Sequence, residues 1–193
     1  MKNKHLILVK HSIPEMLENV PAREWHLSAA GQIKAERLAE RLIPFHPDLL
    51  ISSTEPKAIE TAQILGKRLQ LPVRIVENLH EHDRSKTGFL SRDKFEQAVL
   101  DFFEQPDQLV FGSETAEQTY KRFSTVVFSL LEECRENIVI VSHGTVMSLF
   151  ISHLLGTSGM EIWRELGLPS FVVLDMNSKT LVAKENISEG ESK

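Results

Sequence analysis

The sequence predicts an α/β fold, a three-layer sandwich in which helices cover both faces of a mainly parallel, mixed sheet. Three observations predict it. Short apolar runs rich in β-branched residues, Leu6-Ile7-Leu8-Val9 and Ile138-Val139-Ile140-Val141, have the unbroken hydrophobicity of strands buried on both faces. Such runs alternate along the chain with segments whose apolar residues recur at helical spacing. Two closing strands, Phe171 to Asp175 and Thr180 to Ala183, flank an Asn177-Ser178 turn and suggest an antiparallel edge.

Taken in order, the first strand runs from His5 to Val9 and ends on Lys10, His11 and Ser12. Ile13 to His26, with Pro14 and Pro21, reads as a loop. Ser28 is a good N-cap for a helix to about Leu42, with Ala35, Leu38, Ala39 and Leu42 on one face and Pro44 as its stop. Asp48 to Ser53 reads as a second strand. A second helix starts near Glu55-Pro56, where proline is tolerated in the first turn, and buries Ala58, Ala62, Leu65 and Leu69. Pro72 to Val76 is a third strand. From Glu77 to Gly112 the pattern is less regular, with a short helix carrying Phe95, Ala98, Val99, Phe102 and Phe103. A long helix follows from about Glu114 to Arg135, placing Phe123, Val127, Leu130 and Cys134 in register. The strand Ile138 to Ser142 then leads through His143-Gly144 into a helix reaching Leu155, and Trp163 falls in a further short helix.

The bulk composition bounds the function. A chain of 193 residues fits one domain, expected over residues 1–187 with residues 77–112 as an irregular cap and 188–193 as a flexible tail. At this size a chain buries roughly 70% of the surface exposed on unfolding, so no covalent staple is required. The single cysteine, Cys134, has no partner in the chain and reads as a buried, reduced thiol. Net charge is −5, from 22 basic and 27 acidic residues that are mixed along the sequence. No block of like charge marks a nucleic-acid or membrane surface, and the apolar run after Met1 is too short for a signal-peptide core or a membrane span. These features predict a soluble, cytoplasmic protein. Oligomeric state is not legible in them.

Three predicted strands end in polar groups of one chemical kind. The first gives Lys10 and His11. The second leads to Lys57, in the first turn of its helix. The later one gives Ser142, His143 and Gly144, again at a helix start. Ligands of open α/β sheets sit outside the carboxyl ends of the strands, and helix N-termini favour anions. Two lysines and two histidines in such places suit a phosphoryl group. On residues alone His11 and His143 are equivalent candidates for the nucleophile, and Glu81, between His80 and His82, reads as a solvated loop charge. His80 and His82 lack the further ligands that would complete a metal set, so no metal or other cofactor is called for. Trp25 reads as packing or a pocket wall.

These segments resemble the histidine phosphatase superfamily, the phosphoglycerate-mutase-like proteins. Lys10-His11-Ser12 stands where the family has Arg-His-Gly. Leu27-Ser28-Ala29-Ala30-Gly31 matches its Leu-(Ser/Thr)-x-x-Gly, and Ser52 to Ala62 match Ser-Ser-x-x-x-Arg-Ala-x-x-Thr-Ala with Lys57 in the arginine's place. Leu79-His80-Glu81 matches Leu-x-Glu, Gly112 to Thr115 loosely match the Gly-Glu-Ser region, and Ser142-His143-Gly144 matches the second histidine. The matches follow family order over most of the chain.

The resemblance implies a phosphoglycerate-mutase-like sandwich and a phosphomonoester hydrolase acting on a small phosphorylated metabolite. It assigns His11 as the nucleophile that becomes phosphohistidine and Glu81 as the proton donor. His143, Lys10 and Lys57 would bind the phosphoryl group, with Ser12 and Gly144 beside it. The departures point to two other outcomes. Lysine is a flexible point charge where arginine is a planar fork, and Ser12 replaces a glycine. A weakly active or inactive phosphate-ligand binding module is therefore the rival. A phosphoglycerate-type mutase is a third reading, disfavoured because His80-Glu81-His82 replaces the Asn-Glu-Arg of glycolytic mutases. Substrate selectivity is expected in residues 77–112 and in the loop around Trp25; Phe89, Phe95 and His82 lie in the first stretch, where ordinary core is the other reading for them.

Overall fold

A computed structural model of the chain describes residues 4–84, 87, 90–133 and 137–188. The expectations for Phe89, Cys134 and the tail beyond Ser188 lie outside the described residues. The elements follow the predicted order: β1 His5–Lys10, α1 Ala29–Leu42, β2 Leu49–Ser52, α2 Pro56–Leu69, β3 Val73–Ile75, α3 Arg92–Glu104, α4 Ala116–Glu133, β4 Ile138–Ser142, α5 Gly144–Leu155, α6 Gly159–Glu165, β5 Ser170–Asp175 and β6 Thr180–Asn186. The described residues build a six-stranded sheet in the order β3-β2-β4-β1-β5-β6. The first four of these strands are parallel, β5 runs antiparallel to β1, and β6 pairs antiparallel with β5.

The apolar runs read as strands covered on both faces are so covered. Leu6 and Leu8 of β1 and Ile138 and Ile140 of β4 face one layer, against Phe123, Val127 and Leu130 of α4 and Val146, Met147 and Phe150 of α5. Their alternates Ile7, Val9, Val139 and Val141 face the other, against Leu38, Ala39 and Leu42 of α1 and Ala58, Ala62 and Leu65 of α2. The period-two alternation of side chains in a strand thus assigns each residue to one of two cores. A third, smaller core lies under α3, where Val99 and Phe102 meet Phe111, Leu149 and Met160. Phe95 packs against it, and the His82 ring lies 4.3 Å from Phe102 and 4.7 Å from Phe111. None of the described helices is long and apolar enough to cross a membrane.

Strand order positions the site. β4 lies between β1 and β2, with Lys10 level with Ser142 and Ser52 level with Val141. The residues that follow these three strands, His11, Ser53 and His143, therefore emerge side by side at the carboxyl ends of neighbouring central strands, separated in sequence by as many as 132 positions (143 − 11).

Candidate active site

His11 follows β1 and is held by its own strand and the next residue. Its backbone N–H donates to Ser142 O at 3.0 Å, and its Nδ1 lies 2.7 Å from Ser12 O. A carbonyl only accepts, so Nδ1 carries the hydrogen and Nε2 keeps its lone pair. Ser12 is locked in turn. Its N–H donates to Thr61 Oγ1 of α2 at 3.0 Å, and its Oγ donates to Gly31 O of α1 at 2.6 Å. Both helices thus fix the residue that fixes the imidazole.

The start of α1 explains the Leu-Ser-x-x-Gly pattern. Ser28 Oγ accepts from Gly31 N at 3.0 Å, a helix N-cap. Gly31 also lets the helix pass against the loop after His11. A Cβ there would stand 2.1 Å from Ile13 O, so no side chain fits without moving backbone.

His143 is fully buried at the start of α5, and its ring centroid is 5.2 Å from that of His11, with the planes inclined by 60°. Its Nε2 is 2.8 Å from Ser53 Oγ and 3.6 Å from Glu55 Oε1. Its Nδ1 is buried with no hydrogen-bond partner among the described residues, a polar atom left over for a ligand. The two imidazoles, from strand ends far apart in sequence, share one pocket.

Burial sets their protonation. It pushes His11 well below the usual histidine range, helped by His143, Lys57 and Lys10 and opposed by the Ser12 carbonyl. His143 falls well below that range too, through burial first and Lys57 second, with Glu81 opposing. Both rings are neutral near pH 7 in the resting site.

The cations are placed beside them and are already in use. Lys57, in the first turn of α2 and only 5% exposed, donates to Ala22 O at 2.6 Å and is ion-paired with Glu55. Lys10 donates to Leu166 O at 2.7 Å. Burial lowers its pKa, against which Glu81 acts. Gly144 makes room for this side chain: a Cβ there would meet Lys10 Cε at 3.1 Å and Nζ at 3.2 Å.

Glu81 is not the solvated loop charge that its surroundings in the sequence suggest. Its carboxylate accepts from Thr145 N at 3.1 Å, Val146 N at 3.2 Å and its neighbour His82 N at 2.9 Å, which seats it on the N-terminus of α5. Burial raises its pKa, yet His143, Arg84 and these N–H groups outweigh that and hold it below the usual carboxylate value. Arg122 of α4 fixes the segment from behind, donating to Asn78 O at 2.9 Å, His80 O at 3.0 Å and Glu114 Oε1 at 2.6 Å.

Every proposed site residue thus lies around the carboxyl ends of the central strands, but Ser12 spends both its donors inside the protein. Sequence reasoning missed Ser53, Glu55, Thr61 and Arg122. Ser53 and Thr61 sit inside a motif already singled out, and Glu55 is an acid two residues before Lys57. Nothing local marks Arg122.

Comparison with known proteins gives the family and the fold. The sequence model of the histidine phosphatase superfamily (branch 1) matches residues 6–186. The adenosylcobalamin/alpha-ribazole phosphatase of Escherichia coli (strain K12) is 26% identical over 160 residues, 79% of each chain. Two solved structures share the fold. The phosphoserine phosphatase of Entamoeba histolytica, in complex with 3-phosphoglyceric acid, superposes with a TM-score of 0.77 at 20% identity, covering 95% of this chain and 97% of its own. The alpha-ribazole phosphatase of Shigella flexneri does so at 0.74 and 23%, covering 98% and 100%. With two histidines facing each other across the ends of β1 and β4, and a family match over nearly its whole length, the chain belongs to the histidine phosphatase superfamily.

Proposed function

We propose that the protein is a phosphomonoester hydrolase that works through a phosphohistidine on His11. The observation that carries this reading is the state of the His11 ring. Nδ1–H is tied to Ser12 O, burial keeps the ring neutral, and the free Nε2 lone pair shares a pocket with His143. A neutral imidazole with a fixed tautomer is a nucleophile that needs no separate base. The phosphatases among the relatives support the same reaction class.

In the proposed reaction, His11 Nε2 attacks phosphorus and the bond to the ester oxygen breaks. Lys10, Lys57 and His143 Nδ1–H face the phosphoryl oxygens, and the N–H groups at the start of α5 add to the field. Glu81 is ionised at rest. A phosphoryl dianion is a like charge that raises its proton affinity, so Glu81 takes up a proton from solvent as substrate binds and passes it to the leaving oxygen. Glu81 then takes a proton from water as the oxygen attacks phosphorus, the N–P bond breaks, and orthophosphate leaves with the His11 lone pair restored. Release of p-nitrophenol from p-nitrophenyl phosphate tests the reading. Turnover by the wild type that is abolished in His11→Ala supports it, and turnover unaffected by that change refutes it.

A further inference from the structure

Glu55 takes no part in the reaction above, yet its carboxylate stands among the groups that perform it. It is 7% exposed. Oε2 is paired with the Lys57 ammonium, and Oε1 accepts from the Glu81 N–H at 2.9 Å and lies 3.6 Å from His143 Nε2. A cation and a backbone N–H converge on the two oxygens, as they would on an anionic ligand. Residues two apart on a helix do not face each other. Glu55 reaches Lys57 because it precedes the helix as the N-cap of α2, with extended backbone at φ −78° and ψ 138°. Its side chain caps none of the helix N–H groups. It turns instead into the site.

The charges close the case. The Glu81 charge favours the Lys10 ammonium, Lys57 is paired with Glu55, and both histidines are neutral. Lys57 therefore already has its counter-charge before any ligand enters. We propose that Glu55 is a resident anion of the phosphate pocket: its carboxylate holds the Lys57 ammonium that a phosphoryl group takes over, and it thereby sets the affinity of the pocket for phosphate. The inference rests on the reading of Lys57 as a phosphoryl ligand.

Calorimetric titration with orthophosphate at pH 7.5 tests it. Glu55→Gln keeps the shape and removes the charge, and is expected to bind phosphate at least tenfold more tightly than the wild type. Equal or weaker binding by the folded variant overturns the proposal. The variant leaves Lys57 buried without its counter-charge, which costs stability, so a second measurement uses the unaltered chain. The carboxyl-carbon resonance of Glu55 is expected to shift as phosphate saturates the site, and a resonance that stays in place overturns the proposal. Failure of the underlying reading looks different: hydrolysis of p-nitrophenyl phosphate that survives His11→Ala, whatever the binding curves show.

Discussion

Acidification of the folded chain probes the buried imidazole pair directly. His143 is fully buried, and burial followed by the Lys57 charge holds it neutral far below the pH at which an exposed histidine protonates. The unfolded chain has no such restraint and binds a proton below about pH 6.5. A histidine whose folded pKa is depressed contributes stability above its unfolded pKa and loses it as pH falls, at about 1.4 kcal/mol per pH unit. With the folded ring neutral throughout, this integrates between pH 7.5 and pH 5 to about 2 kcal/mol for His143, and His11 acts in the same direction. Urea denaturation of wild type and His143→Gln at the two pH values isolates one histidine, because packing and hydrogen bonding that the glutamine fails to reproduce weigh equally at both and cancel in the difference. The wild type is expected to lose about 2 kcal/mol more than the variant over this range. Equal losses in the two proteins would refute the claim that His143 is buried and neutral.

Other residues of the site give sharper local tests. Glu81→Gln removes the anion from the start of α5 and is expected to cost about 1–3 kcal/mol in urea denaturation, with phosphate release from an alkyl phosphate falling roughly 100-fold or more. Unchanged stability and turnover would remove Glu81 from both roles. Lys57→Arg, which restores the family residue, is expected to keep or raise turnover of p-nitrophenyl phosphate; a large loss would show a pocket rebuilt around lysine. Gly31→Ala reverses the usual rule that alanine favours a helix by about 1 kcal/mol. With Ile13 O in the way, it is expected to destabilise by about 1–3 kcal/mol and to slow turnover through Ser12. A stabilised Gly31→Ala protein would contradict the close approach.

Where the chain's own chemistry decides a feature, the feature could be read from it. Ser28 caps α1 because its Oγ has an N–H three residues on, and Pro56 opens α2 because the first turn leaves its own N–H groups unpaired. The strands of the two main cores declared themselves by continuous apolar runs. The irregular stretch was harder. Of the two readings open for His82 and Phe95, selectivity or ordinary core, the packing around the small core under α3 is the one observed.

The site was legible in its strand-end residues and not in what surrounds them. Lys10, His11, Lys57 and His143 follow from the rule that chemistry gathers at carboxyl strand ends. Glu81 could be placed only through the family pattern, since its partners are backbone N–H groups of a helix that begins 63 positions later (144 − 81). Arg122 pins the Glu81 segment from α4, and Glu55 meets Lys57 only because the backbone turns at the start of α2. Neither geometry leaves a trace in composition or period.

The central claim is that His11 carries the phosphoryl group. Rapid quenching of the wild-type protein during turnover of phosphorus-labelled p-nitrophenyl phosphate, followed by mapping of the modified peptide, measures it most directly. The account predicts an acid-labile, alkali-stable phosphoryl group on His11 that His11→Ala lacks. A label on another residue, or full turnover by His11→Ala, would contradict it.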